Sequence, residues 1–330
     1  MIKVNHISKD FKIYIRPKGF MNTVKSAFHR EFQIKQAVQD ISFQIERGEI
    51  VGYVGPNGSG KSTTIKMLSG ILTPSVGDIV VDGIIPYQHR MQNAKNIGVV
   101  FGQRSQLYWD LPVRDSFVLH EKMYEIPKKI FKENVGLFTE VLQMQEFLDR
   151  PVRQLSLGQR MRANIAIALL HNPQLVYLDE PTIGLDIVAR AAIREFILEM
   201  NRIRKTTVII TTHDMSDIEQ ICNRLILIDK GKICFDGTLK LFKERYGDKF
   251  IISVRLKESI NIKHPMLQIL QENDNGFVFQ GDKTQISIAD AINFIVQNCS
   301  ISDIEINDSN IESILKDIYT GRILTNTSQP

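Results

Sequence analysis

One stretch of this 330-residue chain has the composition of an anion cradle: Gly55-Pro56-Asn57-Gly58-Ser59-Gly60-Lys61-Ser62-Thr63. Its spacing is G-x-x-x-x-G-K-[ST], and it runs from the apolar segment Ile50–Val54 into a helical pattern over Thr63–Leu68, the strand–loop–helix context that this pattern requires. A triphosphate carries several negative charges and cannot enter a pocket uncompensated. Glycines let the backbone curl so that successive N–H groups point inward. A helix N-terminus adds its positive dipole. In such a loop Lys61 is placed to reach the β- and γ-phosphates, and the Ser62 hydroxyl to bind magnesium. A second string, Leu175-Val176-Tyr177-Leu178-Asp179-Glu180, is an apolar strand ending in two acids. Asp179 at the strand tip suits holding Mg2+ through its water shell. Glu180 suits polarising an attacking water. ATP and Mg2+ are therefore the expected ligands.

The elements that must position these residues follow from hydrophobic rhythm. Ile50–Val54, Ile97–Phe101, Leu175–Leu178 and Thr207–Thr211 are short apolar runs bounded by polar residues or Gly, as buried parallel strands are. Helical patterns fall between them: Phe131, Val135, Phe138 and Leu142 recur at spacings of three and four, and Ile165, Leu169 and Leu170 do likewise. Strand–helix alternation predicts an α/β domain with a parallel sheet over residues 1–240. Residues 241–330 have another rhythm. Phe250–Leu256 alternates like a strand, Met266–Gln271 reads as helical, Gly276–Gln280 and Gln285–Ile288 as a hairpin, Ala289–Cys299 as an amphipathic helix and Ile301–Ile306 as a strand. Ser309 and Glu312 are spaced as a capping box for a last helix. The order β-α-β-β-α-β predicts a small α+β, ferredoxin-like accessory domain. It has no titratable cluster suited to chemistry.

Residues 12–36 are an odd insertion. Basic residues accompany Phe20, Val24, Phe28 and Phe32 at spacings of four, which predicts a short basic amphipathic helix. It reads either as a solvated insertion packed on the domain or as a membrane-surface or partner-docking element. The net charge of +4 is too small a surplus to argue for a nucleic-acid partner. Cys222, Cys234 and Cys299 are odd in number and widely spaced, and read as reduced packing thiols. No apolar run is long enough to span a bilayer, and the N-terminus lacks the apolar stretch of a signal peptide. A cytosolic protein that docks onto any membrane partner is expected.

A third string narrows the class. Leu155-Ser156-Leu157-Gly158-Gln159-Arg160 opens a helix about 20 residues before Asp179. Together with the two motifs above it resembles the ABC ATPases, whose signature is LSGGQ; Leu157 replaces the first glycine. The resemblance covers residues 1 to about 240. It implies a P-loop NTPase (RecA-like) core with antiparallel β and α-helical subdomains, the helical one over about residues 104–165. It assigns Ser156, Gly158 and Gln159 to the ATP held by a second copy, so that two copies pack head-to-tail as a homodimer over two ATP. Gln103 matches the glutamine loop that touches magnesium. Thr182-Ile183-Gly184-Leu185-Asp186 matches the loop crossing the dimer interface, with Ile183 where the family usually has Ser and Asp186 among the nucleotide contacts. His213 matches the switch histidine, and Phe11 the aromatic that stacks on adenine, with Tyr14 or Phe32 as alternatives.

The segment from Gly102 to Pro112, the basic insertion and the small tail domain are similar to the daunorubicin- and viologen-type drug exporters. That similarity implies separate integral-membrane permease subunits and a peripheral place on the cytoplasmic face of the membrane. Tyr108 and Trp109 then read either as anchors for a permease helix or as core of the helical subdomain. A soluble ABC ATPase acting on ribosomes or DNA would show a second cassette or sustained heptads, and this chain has neither. An ATPase driving a regulatory or sensor membrane complex is the remaining alternative.

Overall fold

β1 (Ile2–Tyr14), β2 (Phe32–Ile45) and β4 (Val76–Val81) form an antiparallel sheet in the order β2-β1-β4. In the computed structural model, residues 1–14, 32–102, 105–212, 214–247, 249–256, 264–273, 276–298, 300–308 and 311–319 are described. Two units are separated by contact, Met1–Asp236 and Gly237–Pro330.

The heart of the first unit is a six-stranded sheet. β3 (Ile50–Val54), β5 (Ile97–Phe101), β6 (Leu175–Asp179), β7 (Thr207–Thr211), β8 (Arg224–Asp229) and β9 (Lys232–Thr238) run in the order β5-β6-β7-β3-β8-β9. The pairs β5–β6, β6–β7, β7–β3 and β3–β8 are all parallel. β3 and β7 are buried along their whole length. That accounts for their unbroken apolar sequence, since helices cover both faces of such a sheet. α1 (Lys61–Leu68) packs against β2, β4 and β6, so one hydrophobic cluster joins both sheets. Ile2, Ile41 and Ile79 from the antiparallel sheet meet Tyr53, Ile65 and Tyr177 there. α2 (Arg90–Asn96) precedes β5. α3 (Val113–Met123), α4 (Lys128–Val141) and α5 (Leu157–Leu169) lie between β5 and β6 in sequence. α6 (Ile187–Arg204) and α7 (Met215–Ile221) flank β7. Phe138 of α4 meets Phe196 of α6 edge to face at 5.1 Å.

The second unit opens with α8 (Leu239–Tyr246). Its sheet is wholly antiparallel, β10 (Lys249–Leu256), β11 (Leu267–Asn273), β12 (Gly276–Asp282) and β13 (Ile301–Asp308), in the order β11-β12-β10-β13. α9 (Ile288–Asn298) lays Ala291 and Ile295 on Phe250, Ile252 and Phe279. α10 (Ile311–Tyr319) follows. Gly281 sits directly under the Phe250 ring, where a Cβ would come within 2.2 Å of the ring carbons.

Four expectations need correction. The tail is α+β, but among the described residues its strands and helices from β10 onward run β-β-β-α-β-α rather than β-α-β-β-α-β. Leu267–Gln271 belongs to strand β11, with Met266 in the turn before it, and not to a helix. Its apolar residues suit both periods over so short a run, and pairing with β12 decides, burying Leu267 and half-burying Ile269. Gln285–Ile288 is the entry to α9, not a hairpin strand. The Ser287 hydroxyl donates to Asp290 at 2.6 Å and accepts the Asp290 N–H at 3.1 Å, the local pattern of a helix start. Phe32 is not helical either. It lies in β2 opposite Tyr14, the rings edge to face at 6.1 Å. Phe20, Val24, Phe28, Cys299 and Ser309 lie outside the described residues.

Candidate functional site

The loop between β3 and α1 is shaped by its glycines. Gly58 and Gly60 stand at φ of +81° and +112°, a region that disfavours side chains. A Cβ on Gly60 would lie 2.6 Å from the Ala37 carbonyl oxygen, and one on Gly55 would lie 2.2 Å from that of Ile228. The loop is thus held from both sides, by β2 and β8. Lys61 closes it from within, its Nζ donating to the carbonyls of Gly55 at 2.6 Å and Pro56 at 3.1 Å. Burial lowers the Lys61 ammonium below the ordinary lysine range, and the carboxylates of Glu180 and Asp179 partly offset that. The Ser59 hydroxyl is buried with no hydrogen-bond partner among the described residues, an orphan donor inside an anion-shaped loop.

The acids come to this loop through the sheet. Parallel pairing sets Asp179 beside Phe101 on one side and Thr211 on the other. The Ser62 hydroxyl donates to Asp179 Oδ2 at 3.0 Å, and the Thr211 hydroxyl donates to Asp179 Oδ1 at 2.5 Å. The Glu180 N–H in turn donates to the Thr211 carbonyl at 2.9 Å and reaches the Thr211 hydroxyl at 3.2 Å. Glu180 takes a left-handed φ of +56°, a turn that lifts it off the strand line. A cleft of about 280 Å³ lies at these strand tips, lined by Ser62, Lys66, Ile71, Phe101, Gly102, Asp179 and Glu180. Thr211 is the member that sequence reasoning missed. It ended an expected strand, but only the β6–β7 register reveals that it holds both acids.

The Ser156 turn caps α5 on the same unit. The Ser156 hydroxyl accepts from the Gln159 N–H at 3.2 Å, and Gln159 Oε1 accepts from the Ser156 N–H at 3.0 Å. This reciprocal box fixes the helix start. Gly158 abuts Ala189 and Leu185, and the Leu157 side chain lies over Gly184. The turn therefore leans on the loop 182–186. Asp186 caps α6, accepting from the Ala189 N–H at 2.7 Å. Around this seam, large apolar residues face solvent: Leu157, Ile183, Ile187 at 83% and Val188 at 71% exposure.

Phe11 sits in β1 opposite Lys35, half-buried, with the Lys9 ammonium 5.4 Å from its ring centroid. Tyr108 and Trp109 are exposed, not core; the Arg160 guanidinium lies 5.8 Å over Trp109. Gln103 and His213 lie outside the described residues. Cys222 is buried and Cys234 half-buried, its thiol 3.7 Å from the Lys232 carbonyl.

Comparison with known proteins accords with this geometry. A family described as ABC transporter matches residues 38–183. The ABC transporter ATP-binding protein NatA of Bacillus subtilis (strain 168) is 33% identical over 217 residues, 66% of this chain and 88% of that protein. The Nod factor export ATP-binding protein I of Neorhizobium galegae is 36% identical over 218 residues, 66% of this chain and 62% of that protein. Among solved structures, a dimeric bacterial ABC transporter cassette superposes with a TM-score of 0.60 at 26% identity, covering 72% of this chain and 99% of that one.

Proposed function

This chain belongs to the ABC transporter family of ATP-binding proteins and is an ATPase, and from that premise we propose that two copies close over two ATP and power export through separate membrane-spanning permease subunits. The observation that carries the proposal is the hydrogen-bonded line Ser62–Asp179–Thr211–Glu180, laid beneath a loop whose lysine is buried.

In this reading the loop 55–63 binds the triphosphate through its backbone N–H groups, with Lys61 on the β- and γ-phosphates. Ser62 and Asp179 present two hard oxygens 3.0 Å apart, a donor pair that fits Mg2+ beside phosphate oxygens. When bound, that ion neutralises phosphate charge; Gln103 is a further candidate ligand. Glu180 orients and deprotonates the attacking water, and His213 is assigned to the γ-phosphate. Ser156, Gly158 and Gln159 of the opposite copy complete the site. The exposed apolar rim of Leu157, Ile183, Ile187 and Val188 supports a face made to be covered. Exposed Tyr108 and Trp109 support permease docking beside Gln103. Among the described residues no helix is long and apolar enough to cross a membrane. Export rather than import, and a seat on the cytoplasmic membrane face, rest on resemblance to exporters such as the Nod factor relative.

Glu180→Gln tests the core of the proposal. It should slow hydrolysis by roughly 10²–10⁴, the usual worth of a positioned base, while ATP still binds. Near-normal turnover retires the assignment. Direction is tested by following a labelled drug in inside-out vesicles that carry the co-purified permeases; ATP-driven uptake into those vesicles is expected of an exporter.

A further inference from the structure

Two side chains outside the nucleotide loop tie the segment after Glu180 to the residues on either side of position 213. Asp217, on α7, is fully buried and carries its carboxylate into the protein interior. Its Oδ2 accepts the Thr182 hydroxyl at 2.5 Å and the Thr212 hydroxyl at 3.4 Å. Arg194 of α6 stands 3.3 Å from Oδ1 as an ion pair, itself largely buried. Thr182 and Thr212 are both buried, so neither hydroxyl has water as an alternative. Beside this bridge runs a second. Arg190 donates through Nε to the Leu185 carbonyl at 3.0 Å and pairs through Nη1 with the Asp214 carboxylate. Asp214 also takes the Ser216 N–H at 3.0 Å, fixing the start of α7, and gives its own N–H to the Thr212 hydroxyl at 3.0 Å.

The loop 181–186 is thus fastened at Thr182 and Leu185, and the segment 212–214 at Thr212 and Asp214. The crossings run through Asp217 and Arg190. We infer that Asp217 and Arg190 are positioning residues that make the loop 181–186 and the flanking residues Thr212 and Asp214 move as one body. This rests on the ATPase reading above and adds to it a route by which closure against a partner copy sets the γ-phosphate side of the site. A buried carboxylate with two hydroxyl donors has two discrete states, made or broken, because each donor that leaves strands a buried polar group. Coupling of this kind acts on turnover more than on nucleotide affinity, since neither residue reaches the phosphate loop.

The test uses the full-length chain and a mutant cycle. Asp217→Asn, Thr182→Val and Thr212→Val should each lower kcat by about tenfold or more while the ATP KM moves less than about threefold, the pattern of lost transition-state positioning. Asp217→Asn combined with either valine should be no slower than Asp217→Asn alone, as expected of residues acting through one contact. Thr182→Ser and Thr212→Ser keep the hydroxyls and should return kcat to within about twofold of wild type. If Asp217→Asn does not fold, the two threonines still decide the matter: Thr182→Val with Thr212→Val should fall short of multiplicative loss. Additive losses, wild-type kcat in Asp217→Asn, or kcat and KM worsening together with the serine variants no better than the valines would each overturn the inference. No turnover in the wild-type chain would instead defeat the ATPase reading, and this inference with it.

Discussion

Lys61 spends its charge on two carbonyls of its own loop, at 2.6 and 3.1 Å. Those weak acceptors hold the ammonium where phosphate oxygens would outcompete them. Lys61→Ala should therefore weaken ATP binding by roughly 10- to 100-fold, the worth of hydrogen bonds to a charged group, measured by calorimetric titration; unchanged affinity would remove Lys61 from the site. Thr211→Val should leave ATP affinity nearly intact and cut kcat by about tenfold, because Asp179 and Glu180 lose a shared anchor. Steady-state kinetics would separate the two effects. That Lys61, Asp179 and Glu180 lie together was legible in the sequence, because the two motifs that carry them place them at neighbouring strand ends. Thr211 and Asp217 were not, since their partners are set by strand register and helix packing.

At the scale of elements, the phosphate loop depends on backbone shapes that only glycine takes cheaply. Gly60→Ala meets a φ of +112° and the Ala37 carbonyl 2.6 Å away. It should cost about 1–3 kcal/mol of stability, read from urea midpoints. The helices between β5 and β6 are fastened by a stack of rings, His120–Tyr124 at 4.3 Å and Tyr124–His171 at 4.2 Å. His171 Nε2 is 3.0 Å from the Ile97 carbonyl of β5. Burial lowers both imidazoles from 6.5 to about 4. The folded chain keeps them neutral while the unfolded chain takes up protons below about 6.5, so stability should fall as pH drops from about 6.5 toward 4. A His120→Phe chain should show a shallower fall of Tm over that interval; an identical slope would contradict the assignment. Strand and helix identity was readable where runs were long or bounded, as at Ile50–Val54 and Leu175–Asp179. It failed at Met266–Gln271, where four apolar residues in six satisfied both periods, and at Phe32, where a spacing of four continued by chance into a strand.

At the scale of the whole molecule, the proposal requires a site that a second copy completes. The cleft of Ser62, Asp179 and Glu180 and the capped Ser156 turn both belong to the unit Met1–Asp236, yet the resemblance assigns them to different nucleotides. Neither composition nor charge showed the tail unit's role, because its buried residues serve its own core. The claim that two copies share each ATP is tested most directly by light scattering on Glu180→Gln with Mg–ATP, with and without Ser156→Arg. The account predicts a dimer for Glu180→Gln that vanishes on adding Ser156→Arg while ATP binding persists. A Glu180→Gln chain that binds ATP and stays monomeric, or a double variant that dimerises equally well, would contradict it.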